Sequence, residues 1–301
     1  MERRHFLKTT PVFLGMAMQG MPFYLGKHKP LLSFSTLGCP KWSFAQIVQC
    51  AVENGYQGIE IRGLQGQLDL PKCPDFSTPE RIAAARRLVE AYKLRIVNLG
   101  ASTQLHHADP VKRKTQLDDA KRFIELAGQL DCPYIRVFPD DLPKNQDKES
   151  TIDLIINGLI ELGNYAKDKR VKVLLESHGQ VLHTELLLRI MKGADHPQVG
   201  LVWDVYNMWS VTKEPPKTVY KALKKHIAHI HIKDAVTVDG KSKYVLLGQG
   251  GAPIREAVKA LSKGSFKGYY SFEWEKMWHP EIEEPEVAIP QYPKEILQYF
   301  K

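Results

Sequence analysis

The chain has 301 residues, 43% of them hydrophobic and 25% charged, which excludes disordered, collagen-like and coiled-coil classes and leaves material for one large core. Its formal net charge is +8, but Arg3, Arg4, Lys8, Lys27 and Lys29 against Glu2 put half of that in the first thirty residues, so charge gives little support to a nucleic-acid partner. Four cysteines (Cys39, Cys50, Cys73 and Cys132) form no C-x-x-C pair and are too sparse for a disulfide framework.

The opening MERRHFLKTT sets Arg3 and Arg4 ahead of Phe6, Leu7 and Lys8, and an apolar run from Val12 to Leu25 follows. This resembles a twin-arginine export signal, so a periplasmic or exported location is expected, with the cytoplasm as the alternative. The run falls short of the roughly 20 residues a spanning helix needs and contains Pro22, so no stable membrane anchor is expected. Residues 1–30 are therefore read as a leader and residues 31–301 as one catalytic domain.

From Leu31 onward, short β-branched runs alternate with amphipathic helical segments. Strands are predicted at Leu31–Thr36, Gly58–Arg62, Arg95–Leu99, Tyr134–Phe138, Val171–Glu176, Val199–Asp204, Ile227–Ile232 and Tyr269–Trp274. Helix starts are marked by Ser43 with Gln46, by Ser77 with Glu80, both read as capping boxes, and by Asp109 before Pro110. Gly55 and Gly193 are read as left-handed helix stops. Eight β-then-α units match a closed (β/α)8 TIM barrel, an α/β fold of ~250 residues. An open doubly wound sheet would carry a glycine-rich turn after its first strand, where only Gly38 stands.

In such a barrel the chemistry lies at the C-terminal ends of the strands, and polar residues crowd there. Glu176 in LLESHG, Asp204 in VWDVYN, His231 in HIHIKD and Glu273 in SFEWE end the last four predicted strands. Neighbouring strands can bring these four together around one divalent metal. Three carboxylates and an imidazole suit Mn²⁺ first, with Mg²⁺, Co²⁺ or Zn²⁺ as alternatives. His231 is preferred over His229, which shares its face, because it is nearer the strand end.

His178 points the same way as Glu176 if the strand continues and is read as a substrate contact. Arg136, Glu60 and Arg62 offer further polar contacts, although Glu60 and Arg62 share a face and could simply form an ion pair. Trp203, Trp209, Trp274 and Trp278 are candidates for stacking on a sugar, with core packing the alternative; Trp209 is kept as a substrate contact. The proline-rich segment from Lys276 to Pro290 is read as a lid wall or a wrap over the barrel end.

The segments STLGCPKWSF, GYQGIEIRG, LESHG, LVWDVYN, HIHIKD and YYSFEWEK resemble the sugar phosphate isomerase/epimerase superfamily with the xylose isomerase-like barrel, from about Leu31 to the C-terminus. That resemblance implies a single divalent metal on Glu176, Asp204, His231 and Glu273, and proton transfer by Glu176 and Glu273. It also places Asn207, where many relatives have histidine, and Asp234 near the substrate. The stretch after Asp234 holds no histidine, so the trinuclear zinc cluster of the superfamily's endonucleases is not expected.

The implied activity is a metal-dependent sugar isomerase or epimerase that abstracts a proton next to a carbonyl through an enediolate. A lyase or dehydratase eliminating from keto-glycosides or keto-polyols is the alternative. A non-catalytic sugar-binding barrel is the reading from another class, and solvent deuterium incorporation separates it from both. The expected partner is a small sugar or keto-sugar, with no nucleic acid, and a homo-oligomer stays open. If Arg3 and Arg4 form an export signal, replacing both with lysine will retain the protein in the cytoplasm, as fractionation will show; a cytoplasmic wild type contradicts export.

Overall fold

A computed structural model describes residues 29–301, so the export signal expected around Arg3 and Arg4 lies outside the described residues. Strands β1 (Leu31–Ser35), β2 (Gly58–Ile61), β3 (Arg95–Gln104), β4 (Tyr134–Phe138), β5 (Lys172–Glu176), β6 (Val199–Asp204) and β7 (Ile227–Ile232) run parallel. With β10 (Tyr269–Phe272) they close a barrel in the order β1-β10-β7-β6-β5-β4-β3-β2, so the expected (β/α)8 architecture is present. Closure is made by β1 against β10, with Leu31 opposite Tyr269 and Phe34 opposite Phe272.

Helices α1 (Phe44–Glu53), α2 (Pro79–Ala91), α3 (Pro110–Gln129), α4 (Lys148–Ala166) and α5 (Thr184–Gly193) wrap the first part of this wall. They are followed by α6 (Val205–Thr212), α7 (Pro216–Leu223), α8 (Ile254–Lys263) and α9 (Pro285–Ile296). Ser43 and Gln46 form the expected capping box, and Asp109 accepts from the Lys112 N–H ahead of Pro110. The second box does not form: Thr78, not Ser77, caps α2 by accepting from the Arg81 N–H, while the Ser77 hydroxyl donates to the Pro74 carbonyl. Gly55 takes the left-handed conformation at φ +70°, but Gly193 is the last residue of α5, where a Cβ would stand 2.6 Å from Ile156 Cδ1. Close packing against α4 explains that glycine.

Two short strands, β8 (Asp234–Val238) and β9 (Lys241–Val245), form an antiparallel hairpin after β7 that the strand prediction does not contain. Asp239 and Gly240 turn it with φ of +48° and +74°, the paired positive angles of a two-residue hairpin turn. The proline-rich segment is resolved into a wrap and the start of α9. Lys276 Nζ donates to the carbonyls of Pro280 and Ile282, and Pro285 opens the helix.

Outward-facing strand residues pack under the helices, as Phe34 does on Tyr56 and Phe272 on Tyr292. The interior departs from the apolar middle expected of a buried strand. Ser33, Glu60, Asn98, His229 and Ser271 are all fully buried. Among the described residues no helix is long and apolar enough to cross a membrane. The four cysteines are free.

At the far end of the barrel Gly58 has no room for a side chain, since a Cβ would stand 2.5 Å from Val97 Cγ1 and 2.7 Å from Tyr269 Cε1. Gly58→Ala is expected to cost about 1–3 kcal/mol in urea unfolding through overpacking, with an unchanged m-value.

Candidate active site

Glu176, Asp204, His231 and Glu273 come together at the C-terminal mouth, each buried, with one donor atom apiece inside a sphere where all lie within 4.8 Å of one another. Their strands β5, β6, β7 and β10 are consecutive in the wall, and each residue ends its strand's inward-facing row or lies just beyond it. His231 Nδ1 faces Glu273 Oε1 at 3.2 Å, Glu176 Oε1 at 3.3 Å and Asp204 Oδ2 at 3.9 Å. Separations of about 3 Å are those of adjacent ligands on one ion with bonds of 2.0–2.2 Å. The hard oxygens with one imidazole fit a divalent cation.

The other nitrogen of His231 is equally defined. Its Nε2 lies 2.9 Å from Glu60 Oε2, which also meets His229 Nε2 at 2.8 Å and Asn98 Nδ2 at 3.3 Å. Glu60 thereby keeps a proton on Nε2 and leaves the Nδ1 lone pair turned to the carboxylates, the arrangement that orients metal-binding histidines. Burial works against charge on Glu60, yet His231 and His229 hold its carboxyl well below the usual range. The contemplated Glu60–Arg62 ion pair is not formed.

So many buried carboxylates require counter-charge. Arg136 Nε stands 2.8 Å from Glu176 Oε2, and Lys233 Nζ lies 2.8 Å from Asp204 Oδ2 and 2.6 Å from both Glu273 Oε2 and Glu275 Oε1. Burial opposes ionisation of Glu273, but His231 and Lys233 keep its carboxyl well below the usual range. Asp204 goes the other way: burial, reinforced by Glu273 and Glu176 and opposed by Lys233, pushes it up to about 7. For His231 burial disfavours the imidazolium, while Glu273, Glu60 and Glu176 raise its pKa well above the ordinary value. The field that suits a cation thus also draws a proton.

The remaining expected residues are distributed unevenly. His178 is partly exposed on the β5 side, its Nδ1 3.0 Å from Asp140 Oδ1 and its ring 4.3 Å from Phe138. Burial lowers its pKa, but the Asp140 contact and Glu176 leave it raised overall, so it is held in place rather than loose in solvent. Asn207 donates its backbone N–H to Asp204 Oδ1 at 2.7 Å, fixing that carboxylate as the cap of α6. Trp209 is half-buried with Lys213 Nζ 3.9 Å above its ring. Trp203 and Trp274 are core residues, the latter donating to the Glu283 carbonyl.

Two placements differ from the expected substrate contacts. Asp234 uses both carboxylate oxygens on the backbone N–H groups of Ala235, Gly248, Gly250 and Ala252, so it ties the hairpin base to the loop before α8. Glu60 is fully enclosed behind His231. Lys233 was missed; its signal was in HIHIKD, two residues past His231 and therefore on the same face.

Residues 48–295 match the family model described as a xylose isomerase-like TIM barrel. The chain is 23% identical over 262 residues to fructoselysine 3-epimerase of Shigella flexneri, covering 83% of this chain and 90% of that protein. It is 24% identical over 199 residues to 3-dehydroshikimate dehydratase of Bacillus anthracis, covering 65% and 68%. The solved IOLI protein with a bound zinc atom superposes with a TM-score of 0.76 at 20% identity, over 89% of this chain and 97% of that one.

The contact from Glu60 to His231 generates a quantitative expectation. Glu60→Gln keeps the shape and removes the charge, so Mn²⁺ affinity measured by titration calorimetry should fall about 10–100-fold while the far-UV spectrum is retained. Unchanged affinity would show that His231 needs no orienting charge.

Proposed function

The chain belongs to the xylose isomerase-like TIM barrel family, and on that premise we propose that it is a metal-dependent isomerase or epimerase of sugars or sugar-derived ketones. Supporting this reading is the mirrored setting of Glu176 and Glu273. Each turns Oε1 toward His231 Nδ1 and Oε2 toward a cation of its own, Arg136 for Glu176 and Lys233 for Glu273. They stand on the outer members of the four-strand arc, so a substrate held between them meets a carboxylate on either side. Removal of a proton at one face and its return at the other needs that arrangement.

Glu176, Asp204, His231 and Glu273 are the residues that would hold the divalent cation, Mn²⁺ by preference. When bound, it would supply Lewis acidity that polarises the substrate carbonyl and acidifies the adjacent C–H. Arg136 and Lys233 keep the two glutamates ionised and fixed, which lowers their basicity but removes the cost of orienting them during proton transfer. One glutamate takes the proton to give an enediolate and the other returns one. We assign His178, braced by Asp140, and Trp209 to contacts with the remainder of the substrate. Periplasmic export stays our reading of location, resting on Arg3 and Arg4.

Elimination is a second reading, favoured by Lys233. Its buried ammonium, 2.6 Å from both Glu273 and Glu275, can stabilise the charge on a departing β-oxygen by hydrogen bonding, while Asp204, Glu273 and Glu275 hold the proton on its nitrogen. The likeness to a dehydratase supports this variant, the likeness to an epimerase the first.

NMR in D₂O with free ketoses and 3-keto-glycosides separates them. An epimerase incorporates deuterium and forms the epimer; a lyase yields an unsaturated product. Glu176→Gln and Glu273→Gln are each expected to lose about 10²-fold or more in turnover while exchange persists on one face. A variant turning over at the wild-type rate assigns that glutamate to metal binding alone.

A further inference from the structure

Arg62 follows β2 directly and faces inward one position above Glu60, at the level of the mouth. Only 6% of the residue is exposed. Among the described residues no carboxylate lies within ion-pair distance of its guanidinium, whereas Arg136 and Lys233 are both paired. It donates to Ser102 Oγ at 3.1 Å and, at the long distance of 3.5 Å, to the Gly100 carbonyl. A guanidinium has five N–H donors and is costly to enclose without an anion, so this one is under-used.

Its position is built rather than incidental. The Thr36 hydroxyl accepts from the backbone N–H groups of Arg62 and Gly63 and donates to the Gly63 carbonyl, clamping the chain where the side chain departs. On β3, Gly100 stands between Arg62 and Arg136: a Cβ there would lie 2.5 Å from Arg62 Cδ and 3.1 Å from Arg136 Nη2. Arg136 uses Nε on Glu176 and Nη1 on the Ala101 carbonyl, which leaves Nη2 on the Gly100 side. Two guanidiniums therefore approach each other across a strand that has given up its side chain. Burial, and next the charge of Arg136, lowers Arg62 to about 9 against the opposing fields of Glu176, Glu273 and Glu60, none of which reaches it as an ion pair. An anion bound at the pair would relieve both costs.

We propose that Arg62, assisted by Arg136 Nη2, is a carboxylate-binding subsite, and that the substrate is accordingly a polyhydroxy keto acid rather than a neutral ketose. The planar fork matches a carboxylate bidentately, and a phosphate uses the same fork, so a phosphorylated ketose is the arm of the test that separates the two. The keto-acid part of the inference rests on the function proposed above. The anion subsite rests on the Arg62–Arg136 pair and stands without that function.

The test is calorimetric binding to Mn²⁺-loaded protein of D-fructuronate and D-fructose, a hydroxyketone pair that differs only in the oxidation of the terminal hydroxymethyl group to a carboxylate. The acid should bind at least about tenfold more tightly, and Arg62→Gln should abolish that difference while leaving the Mn²⁺ and D-fructose affinities as they were. Arg62→Lys, which keeps the charge and loses the fork, should fall between and serves if the glutamine variant does not fold. Equal wild-type affinity for the two compounds overturns the proposal, as does a preference that survives in Arg62→Gln. Tighter, Arg62-dependent binding of D-fructose 6-phosphate overturns it in favour of a phosphate site. In EDTA-treated protein the acid should still raise the wild-type Tm and not that of Arg62→Gln. Failure of Mn²⁺ binding would thus count against the metal-dependent function, and absence of this shift against the subsite.

Discussion

Burying charge in a place that water does not reach imposes the constraint on which this barrel turns. Glu60, Glu176, Asp204 and Glu273 are enclosed, with Glu275 beside them, and none can remain ionised without a cation or a hydrogen-bond donor. The surrounding side chains meet that demand in order of depth. Histidines and Asn98 serve Glu60 at the centre, Arg136 and Lys233 serve the glutamates above, and a divalent ion would complete the balance at the mouth. The strands supply the geometry because their inward rows rise together to one rim.

The barrel was legible from the sequence because all eight of its strands alternate with helical segments that have recognisable starts. Glu176, Asp204, His231 and Glu273 were legible for a related reason: a carboxylate or imidazole ending a run such as VLLE or IAHIHI contradicts its apolar context. Choosing His231 over His229 required only the position of the strand end. In the structure His231 faces three carboxylates, while His229 turns its Nε2 to Glu60 one layer lower.

Other features left weaker traces. A lysine in a motif reads as a solvated residue, and nothing local reveals that Lys233 is surrounded by acids drawn from β6 and the end of β10. Asp234 reads as a free carboxylate at a strand end, whereas four amides from 14 to 18 residues away and next door consume it. The hairpin lacks an apolar alternation, so only the Asp239–Gly240 pair announces it. Ser77 and Thr78 are adjacent and both able to cap, and Pro79 at the first helical position decides between them in favour of Thr78. Glu60 and Arg62, two apart on one face, invite pairing, but β7 across the barrel offers Glu60 two imidazoles instead.

The polar layer beneath the mouth also bears on transplantation. In a barrel filled by branched aliphatic side chains, rim residues can be exchanged as a set, since the floor below is indifferent to what stands on it. Here the floor is Glu60 with His229 and Asn98, and it determines which nitrogen of His231 carries a proton. Moving the four rim residues onto a foreign scaffold would carry the ligands and lose their tautomer. The smallest portable unit of this centre therefore spans two tiers of the wall and reaches across to β2 and β3, on the side of the barrel remote from the ligands themselves.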